Sequence, residues 1–247
     1  MDNFAIKVEN VVVRYNKASE KIDNLKEYFI KLIQRRLRFE EFWALNDISF
    51  KINKGDAWGL IGKNGSGKST LLKAICGILR PYSGKITIHG EISPLIELGI
   101  GFNNQLTAEE NIFLHGAVLG YSKKFMKDRF SGIVEFAELQ EFMEIPLKNF
   151  STGMRARLGF AIATLVNPDI LVVDEVLSVG DKSFQKKCET RMSEMLENGT
   201  TLLLVSHSET TILKMCQQSI WLNKGICMKI GESQEVIDAY NDFLEMI

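Results

Sequence analysis

No run in this 247-residue sequence approaches the roughly 20 consecutive apolar residues that cross a bilayer. The longest, Ile170-Leu171-Val172-Val173 and Leu202-Leu203-Leu204-Val205, have the length of strands. Any work at a membrane therefore needs a second chain to supply the spanning part. The start, Met1-Asp2-Asn3-Phe4, carries no basic segment followed by an apolar stretch, so no signal peptide is expected. Four cysteines (Cys76, Cys188, Cys216, Cys227) lie far apart without C-x-x-C spacing, which excludes a disulfide scaffold and points to free thiols in a reducing compartment. Only 4 prolines occur, and no low-complexity or Pro/Ser-rich linker divides the chain, so a single unit over residues 1–247 is expected. The net charge of −1 lacks the excess of either sign that would draw the whole protein to nucleic acid or acidic lipid. Hydrophobic residues at 45% leave ample material for a core.

Glycine is placed with purpose. Gly62-Lys63-Asn64-Gly65-Ser66-Gly67-Lys68-Ser69 fits the pattern G-x-x-x-x-G-K-[ST]. The apolar Ala57–Ile61 before it reads as a buried strand, and Thr70–Ile75 after it as a helix. Glycines let backbone N–H groups turn toward a polyphosphate, and the helix N-terminus adds partial positive charge. The Lys68 ammonium suits the β- and γ-phosphates and the Ser69 hydroxyl suits Mg²⁺, so the segment predicts a nucleoside triphosphate site.

Two further segments carry chemistry. In Ile170-Leu171-Val172-Val173-Asp174-Glu175 a carboxylate pair closes a strand of the kind buried on both faces in parallel sheets. Ligands of open α/β sheets bind at such strand ends. Asp174 suits Mg²⁺ through its water shell, and Glu175 suits activation of the water that attacks the γ-phosphate. In Phe150-Ser151-Thr152-Gly153-Met154, Ser151 is an N-cap candidate and Gly153 leaves the backbone approachable, making a second helix start able to receive an anion.

Around these segments, residues 5–14 alternate as an edge strand, Trp43–Phe50 resumes as strand, and Lys85–His89 makes another. Between them, residues 21–40 set Lys21, Lys26, Lys31, Arg35, Arg36 and Arg38 among Ile22, Leu25, Phe29, Ile33 and Leu37, an amphipathic basic helix. This basic helical insertion is bounded at residues 16–42. It is either a solvated surface helix or a contact for a membrane or membrane partner. Residues 107–150 are mostly helical, with Glu109–Leu119, Lys123–Glu138 and Glu141–Met143 as helices of an inserted subdomain. Phe184–Asn198 is a crossover helix, residues 219–230 a strand pair, and Gln234–Ile247 a closing amphipathic helix. His89 and His115 receive no role.

Taken in order, these segments resemble the nucleotide-binding subunit of an ABC transporter over essentially the whole chain. The resemblance implies an α/β fold: a P-loop NTPase core with a mixed, largely parallel sheet, an N-terminal antiparallel β-subdomain and the inserted helical subdomain. It makes Gly62–Ser69 the Walker A loop and Ile170–Asp174 the Walker B strand, with Glu175 as catalytic glutamate. Gly62, Lys63, Asn64, Gly65, Ser66, Gly67, Lys68, Ser69 and Thr70 would bind ATP, with Tyr15 stacking on adenine. Ser69 and Asp174 would serve Mg²⁺. Ser151, Thr152 and Gly153 resemble the signature that contacts ATP in trans across a head-to-tail homodimer, Ser178 and Asp181 belong to the D-loop, and His207 matches the switch histidine.

The sequence departs from the common family form. Thr152 and Met154 replace a glycine and a glutamine of the signature, and no glutamine stands at the usual place before Leu106-Thr107, leaving Glu97 as the candidate contact for Mg²⁺ and water, or else Gln105. The S-T-G-M signature, the stretch Leu95-Ile96-Glu97-Leu98-Gly99-Ile100-Gly101-Phe102, the V-L-S-V-G-D stretch and the basic insertion resemble polysaccharide-exporting ATPases. That resemblance implies an ATPase driving export of a lipid-linked glycan (O-antigen, capsule or teichoic acid). It would sit peripherally on the cytoplasmic face of the membrane, paired with an ABC-2 type permease, without nucleic acid and without an appended carbohydrate-binding domain. The competing readings are an ABC ATPase for a glycolipid or drug, and a soluble one acting on nucleic acid or ribosomes.

Overall fold

The computed structural model describes residues 3–18, 39–95, 101–165, 168–174, 181–206 and 208–246. The expected basic helix of residues 21–40 lies outside these almost entirely, as do Glu97, Glu175, Ser178 and His207.

Two sheets organise the chain. Strands β1 (Phe4–Ala18), β2 (Phe39–Asn53) and β4 (Ser83–Ile88) form an antiparallel sheet in the order β2-β1-β4. β1 is thus the central strand and not the edge that its alternation suggests. Its inward residues Ile6, Val8, Val11 and Val13 are buried, while its backbone is paired on both sides, with Val8 opposite Phe50 and also Ile86. Alternation reveals one buried face; it carries no information about how many neighbours a strand has. The ends of the 16–42 insertion are also corrected. Asn16 pairs with Glu41, Lys17 with Glu40 and Ala18 with Phe39, so residues 16–18 and 39–42 are ladder and not helix. An ion pair between Arg14 and Glu41 and strand-favouring aromatics at Tyr15, Phe42 and Trp43 support that extension.

The second sheet has six strands. In order these are β5 (Ile92–Leu95), β6 (Ile170–Asp174), β7 (Thr201–Val205), β3 (Ala57–Ile61), β8 (Gln218–Asn223) and β9 (Ile226–Glu232). All neighbours are parallel except the β8–β9 hairpin. The continuous apolar runs are explained by burial on both faces. Ile170 and Val172 pack with Leu60, Leu203 and Val205 toward the antiparallel sheet, where helix α1 (Lys68–Ile75) adds Leu71, Leu72 and Ile75. Leu171 and Val173 pack on the other face with Ile61, Leu202 and Leu204, against Phe184, Cys188, Met192 and Met195 of helix α5 (Lys182–Glu197).

Helices α2 (Ala108–Val118), α3 (Lys123–Ala137) and α4 (Thr152–Leu165) share a third core that includes Ile112, Met126, Ile133, Leu147 and Leu158. Thr107 and Glu110 form a capping box: the Glu110 N–H donates to Thr107 Oγ1 at 3.2 Å and the Thr107 N–H to Glu110 Oε2 at 2.8 Å. The expected helix at Glu141–Met143 is a single 3₁₀ turn, Gln140–Phe142. Helix α6 (Glu209–Met215) follows β7, and α7 (Ser233–Glu245) closes the described chain. The cysteines are free, and burial pushes the thiols of Cys76, Cys188 and Cys216 up to about 12.

Candidate nucleotide site

The site grows from the carboxyl end of β3. Gly62 leaves the strand at φ +146°, and a Cβ there would lie 2.2 Å from the Leu222 carbonyl oxygen of β8. Gly67, at φ +108°, caps α1; its added Cβ would meet the Ala44 oxygen at 2.8 Å and Leu45 Cδ2 at 2.9 Å. Both positions need glycine for backbone shape and for close approach. Between them the loop is held from behind: the Gly225 N–H, in the β8–β9 turn, donates to the Ser66 carbonyl at 2.9 Å.

Lys68 is buried, and its Nζ donates to the carbonyls of Gly62 at 2.7 Å and Lys63 at 3.1 Å. The loop therefore wraps around an ammonium group at the start of a helix. A cavity of about 320 Å³ opens over it, lined by Asn64, Gly65 and Gly67–Thr70, with Phe42 and Ala44 on one side. Ser66 Oγ is buried with no hydrogen-bond partner among the described residues. These features suit polyphosphate: a buried cation and a helix N-terminus line the cavity, and an unpaired buried hydroxyl lies in the same loop. A larger cavity of about 760 Å³, between α2 and α3, is lined in part by Phe113, Phe130 and Lys123 and lies away from this loop. Size alone does not choose the site.

The sheet brings Asp174 to the same edge. Asp174 is in register with Val205, and Leu60 pairs with Val205 from the other side. At strand spacings of about 4.8 Å, the Asp174 backbone is roughly 10 Å from Leu60, just ahead of the loop. Asp174 and Ser69 are the described oxygen donors of the expected Mg²⁺ set, and both suit a hard divalent cation.

Other expected residues stand elsewhere. Lys63 turns its side chain to the Phe243 ring of α7, 5.8 Å from its centroid. Tyr15 is opposite Phe42, one strand away, and it is Phe42 that lines the cavity. Sequence reading missed Phe42, because only the β1–β2 register shows which aromatic reaches the loop. Gln105 is exposed in the turn before α2, where its N–H donates to Asn103 Oδ1, and it does not line the cavity.

Ser151 caps α4, accepting the Met154 N–H on Oγ at 3.1 Å. Ser151 and Thr152 are exposed, and a Cβ on Gly153 would meet only Ser151 Oγ, at 3.8 Å. None of the three lines the cavity of its own chain. Asp181 caps α5 through the Phe184 N–H at 2.9 Å. That bond, followed by the nearby Arg157 charge, holds its carboxyl below the usual range. His89 stacks on Phe4, and burial lowers the basicity of His115.

Comparison with known proteins agrees with this architecture. The ABC transporter family matches residues 45–178. The teichoic acids export ATP-binding protein TagH of Bacillus anthracis is 41% identical over 98% of this chain, which spans 43% of that protein's length. The O-antigen export system ATP-binding protein RfbB of Klebsiella pneumoniae is 42% identical over 83% of both chains. Among solved structures, an ATP-binding subunit of an ABC transporter superposes with a TM-score of 0.77 at 22% identity, covering 96% of this chain and 93% of its own. A strand–loop–helix phosphate cradle, a mixed six-stranded sheet and these likenesses place the chain in the ABC transporter family.

Proposed function

We propose that this chain is the ATP-hydrolysing motor subunit of an exporter of a lipid-linked polysaccharide. It would work as a homodimer on the cytoplasmic face of the membrane beneath an ABC-2 type permease. The observation that carries this reading is the identity, near two residues in five, to ATP-binding proteins of teichoic acid and O-antigen export. Among the described residues no helix is long and apolar enough to cross a membrane, in keeping with a separate spanning partner.

In this reading the loop N–H groups and Lys68 bind the triphosphate. Ser69 and Asp174 would hold Mg²⁺, which would supply charge neutralisation to the triphosphate. Glu175 orients and deprotonates the attacking water, and His207 completes the γ-phosphate contacts. The exposed start of α4 suits a ligand carried by another molecule, because Ser151 and Gly153 face open space outside their own cavity. Two chains paired head to tail would let each α4 start close on the partner's triphosphate. Hydrolysis would remove that bridge and reopen the pair.

The test is reconstitution with a candidate permease in vesicles. ATP-dependent transfer of a glycan on a lipid diphosphate, without transfer of a glycolipid lacking the diphosphate, is expected. Equal movement of both would overturn the cargo assignment. Phe42 is assigned to the nucleobase. Since stacking on an aromatic ring contributes about 1–3 kcal/mol per base, Phe42→Ala should weaken ATP binding about tenfold. The same loss in Tyr15→Ala, with Phe42→Ala unaffected, would return the role to Tyr15.

A further inference from the structure

Three helices that serve different parts of the cassette meet at one guanidinium. Arg157, in the second turn of α4, donates from Nη1 to Glu138 Oε2 at 2.8 Å and from Nη2 to Asp181 Oδ2 at 2.7 Å. Glu138 is the left-handed C-cap of α3 and Asp181 the N-cap of α5. Arg157 also lies over the Phe184 ring, 4.7 Å from its centroid, and the Phe184 N–H closes the circuit by donating to Asp181. Lys187 of α5 adds a second tie to the same end of α3. It donates to Glu138 Oε1 at 3.0 Å and to the Phe136 carbonyl at 2.9 Å. Beneath the charges, Phe136, Phe160 and Phe184, one from each helix, pack together: Phe136 stacks on Phe160, and Phe184 meets both edge to face.

This network is a poor device for stability. The Glu138 and Asp181 side chains are 50% and 62% exposed, and ion pairs of that kind contribute little. Its geometry is specific, however: a planar fork with both ends used, lying over an aromatic ring and joining two carboxylates on two other elements. The joined parts are the start of α5, the helix that begins at Ser151, and the end of α3 in the helical subdomain.

We propose that Arg157 is a positioning residue that makes the α4 start, the α5 start and the end of α3 move as one body. Through it, contact of Ser151–Gly153 with the partner's triphosphate sets turnover and cooperativity without setting the affinity of a single chain for ATP. This rests on the reading that the α4 start acts in trans. Lys187 joins only α3 and α5, so loss of the fork removes the charged tie of α4 to both.

The experiment compares the full chain with Arg157→Met, which keeps the apolar stem over Phe184, and with Arg157→Lys, which keeps charge but loses the fork. Steady-state ATPase is followed against ATP concentration, and binding of a fluorescent ATP analogue is measured on dilute monomer. Light scattering on the Glu175→Gln background reports ATP-driven dimerisation. Small misplacements of reacting groups have large rate effects, so Arg157→Met should lower kcat about tenfold and abolish cooperativity, with monomer affinity unchanged. Arg157→Lys should recover only part of the loss. Asp181→Asn retains an acceptor for the Phe184 N–H and should reproduce the phenotype even if an Arg157 variant folds poorly. Unchanged kcat and cooperativity in all variants would overturn the proposal, as would a parallel loss of monomer affinity. If the Glu175→Gln parent itself fails to dimerise with ATP, the trans reading falls and takes this proposal with it; if the parent dimerises and the variants match it, only the positioning role falls.

Discussion

Lys68→Ala is expected to weaken ATP binding by about two orders of magnitude while leaving the fold intact. The Lys68 ammonium is buried within the loop and is held by the Gly62 and Lys63 carbonyls at 2.7 and 3.1 Å. It already occupies the position that faces the cavity lined by Asn64, Gly65 and Gly67–Thr70, so no costly rearrangement precedes its use. Hydrogen bonds to charged groups contribute about 1.5–3 kcal/mol each, and 1.4 kcal/mol is about tenfold in affinity, so two lost contacts to phosphate oxygens give the stated effect. The fold should survive because Lys68 itself lines a cavity that water can enter, and because Leu71, Leu72 and Ile75 anchor α1 on their own. Titration of a fluorescent ATP analogue, with thermal melting beside it, checks both halves. Undiminished affinity would remove the loop from the phosphate site.

Glu175→Gln is expected to have the opposite signature: ATP binds as before and turnover falls by about a hundredfold or more, the scale of a lost general base. Glu175 follows Asp174, which β6 delivers to the sheet edge beside Val205. The amide keeps the size of the carboxyl but cannot take a proton from water. A pair of chains closed around uncleaved triphosphate should therefore accumulate, visible as a doubling of mass in light scattering with ATP. Steady-state hydrolysis at the parent rate would dismiss Glu175 as the base. Together the two variants separate holding the phosphate from breaking it, since one should lose the bound state and the other should trap it.

How far the sequence alone reaches depends on whether the information is local. The strand–loop–helix of Ala57–Ile75 is legible because G-x-x-x-x-G-K-[ST] encodes the backbone turns in neighbouring residues: Gly62 and Gly67 take φ values that other residues avoid. β6 and β7 are legible because strands covered on both faces must be apolar throughout. The capped start at Thr107 is legible because its partner, Glu110, is three residues away. In the same way Ser151 announces the start of α4.

What lies between distant residues could not be read in this way. The alternation of β1 is the same whether β4 lies beside it or not, so its central place depended on the fold of both sheets. Tyr15 and Phe42 are equally aromatic in the sequence; the β1–β2 register put Phe42 at the cavity. Glu138, Arg157 and Asp181 are ordinary charges until three helix ends converge and a single guanidinium spans them. Sequence by itself determined the local geometry of the phosphate loop and the buried strands, because backbone sterics and apolar burial act between near neighbours. Tertiary structure alone decided which aromatic lines the cavity over the phosphate loop and which charges join the helices, because those contacts exist only after remote segments have packed.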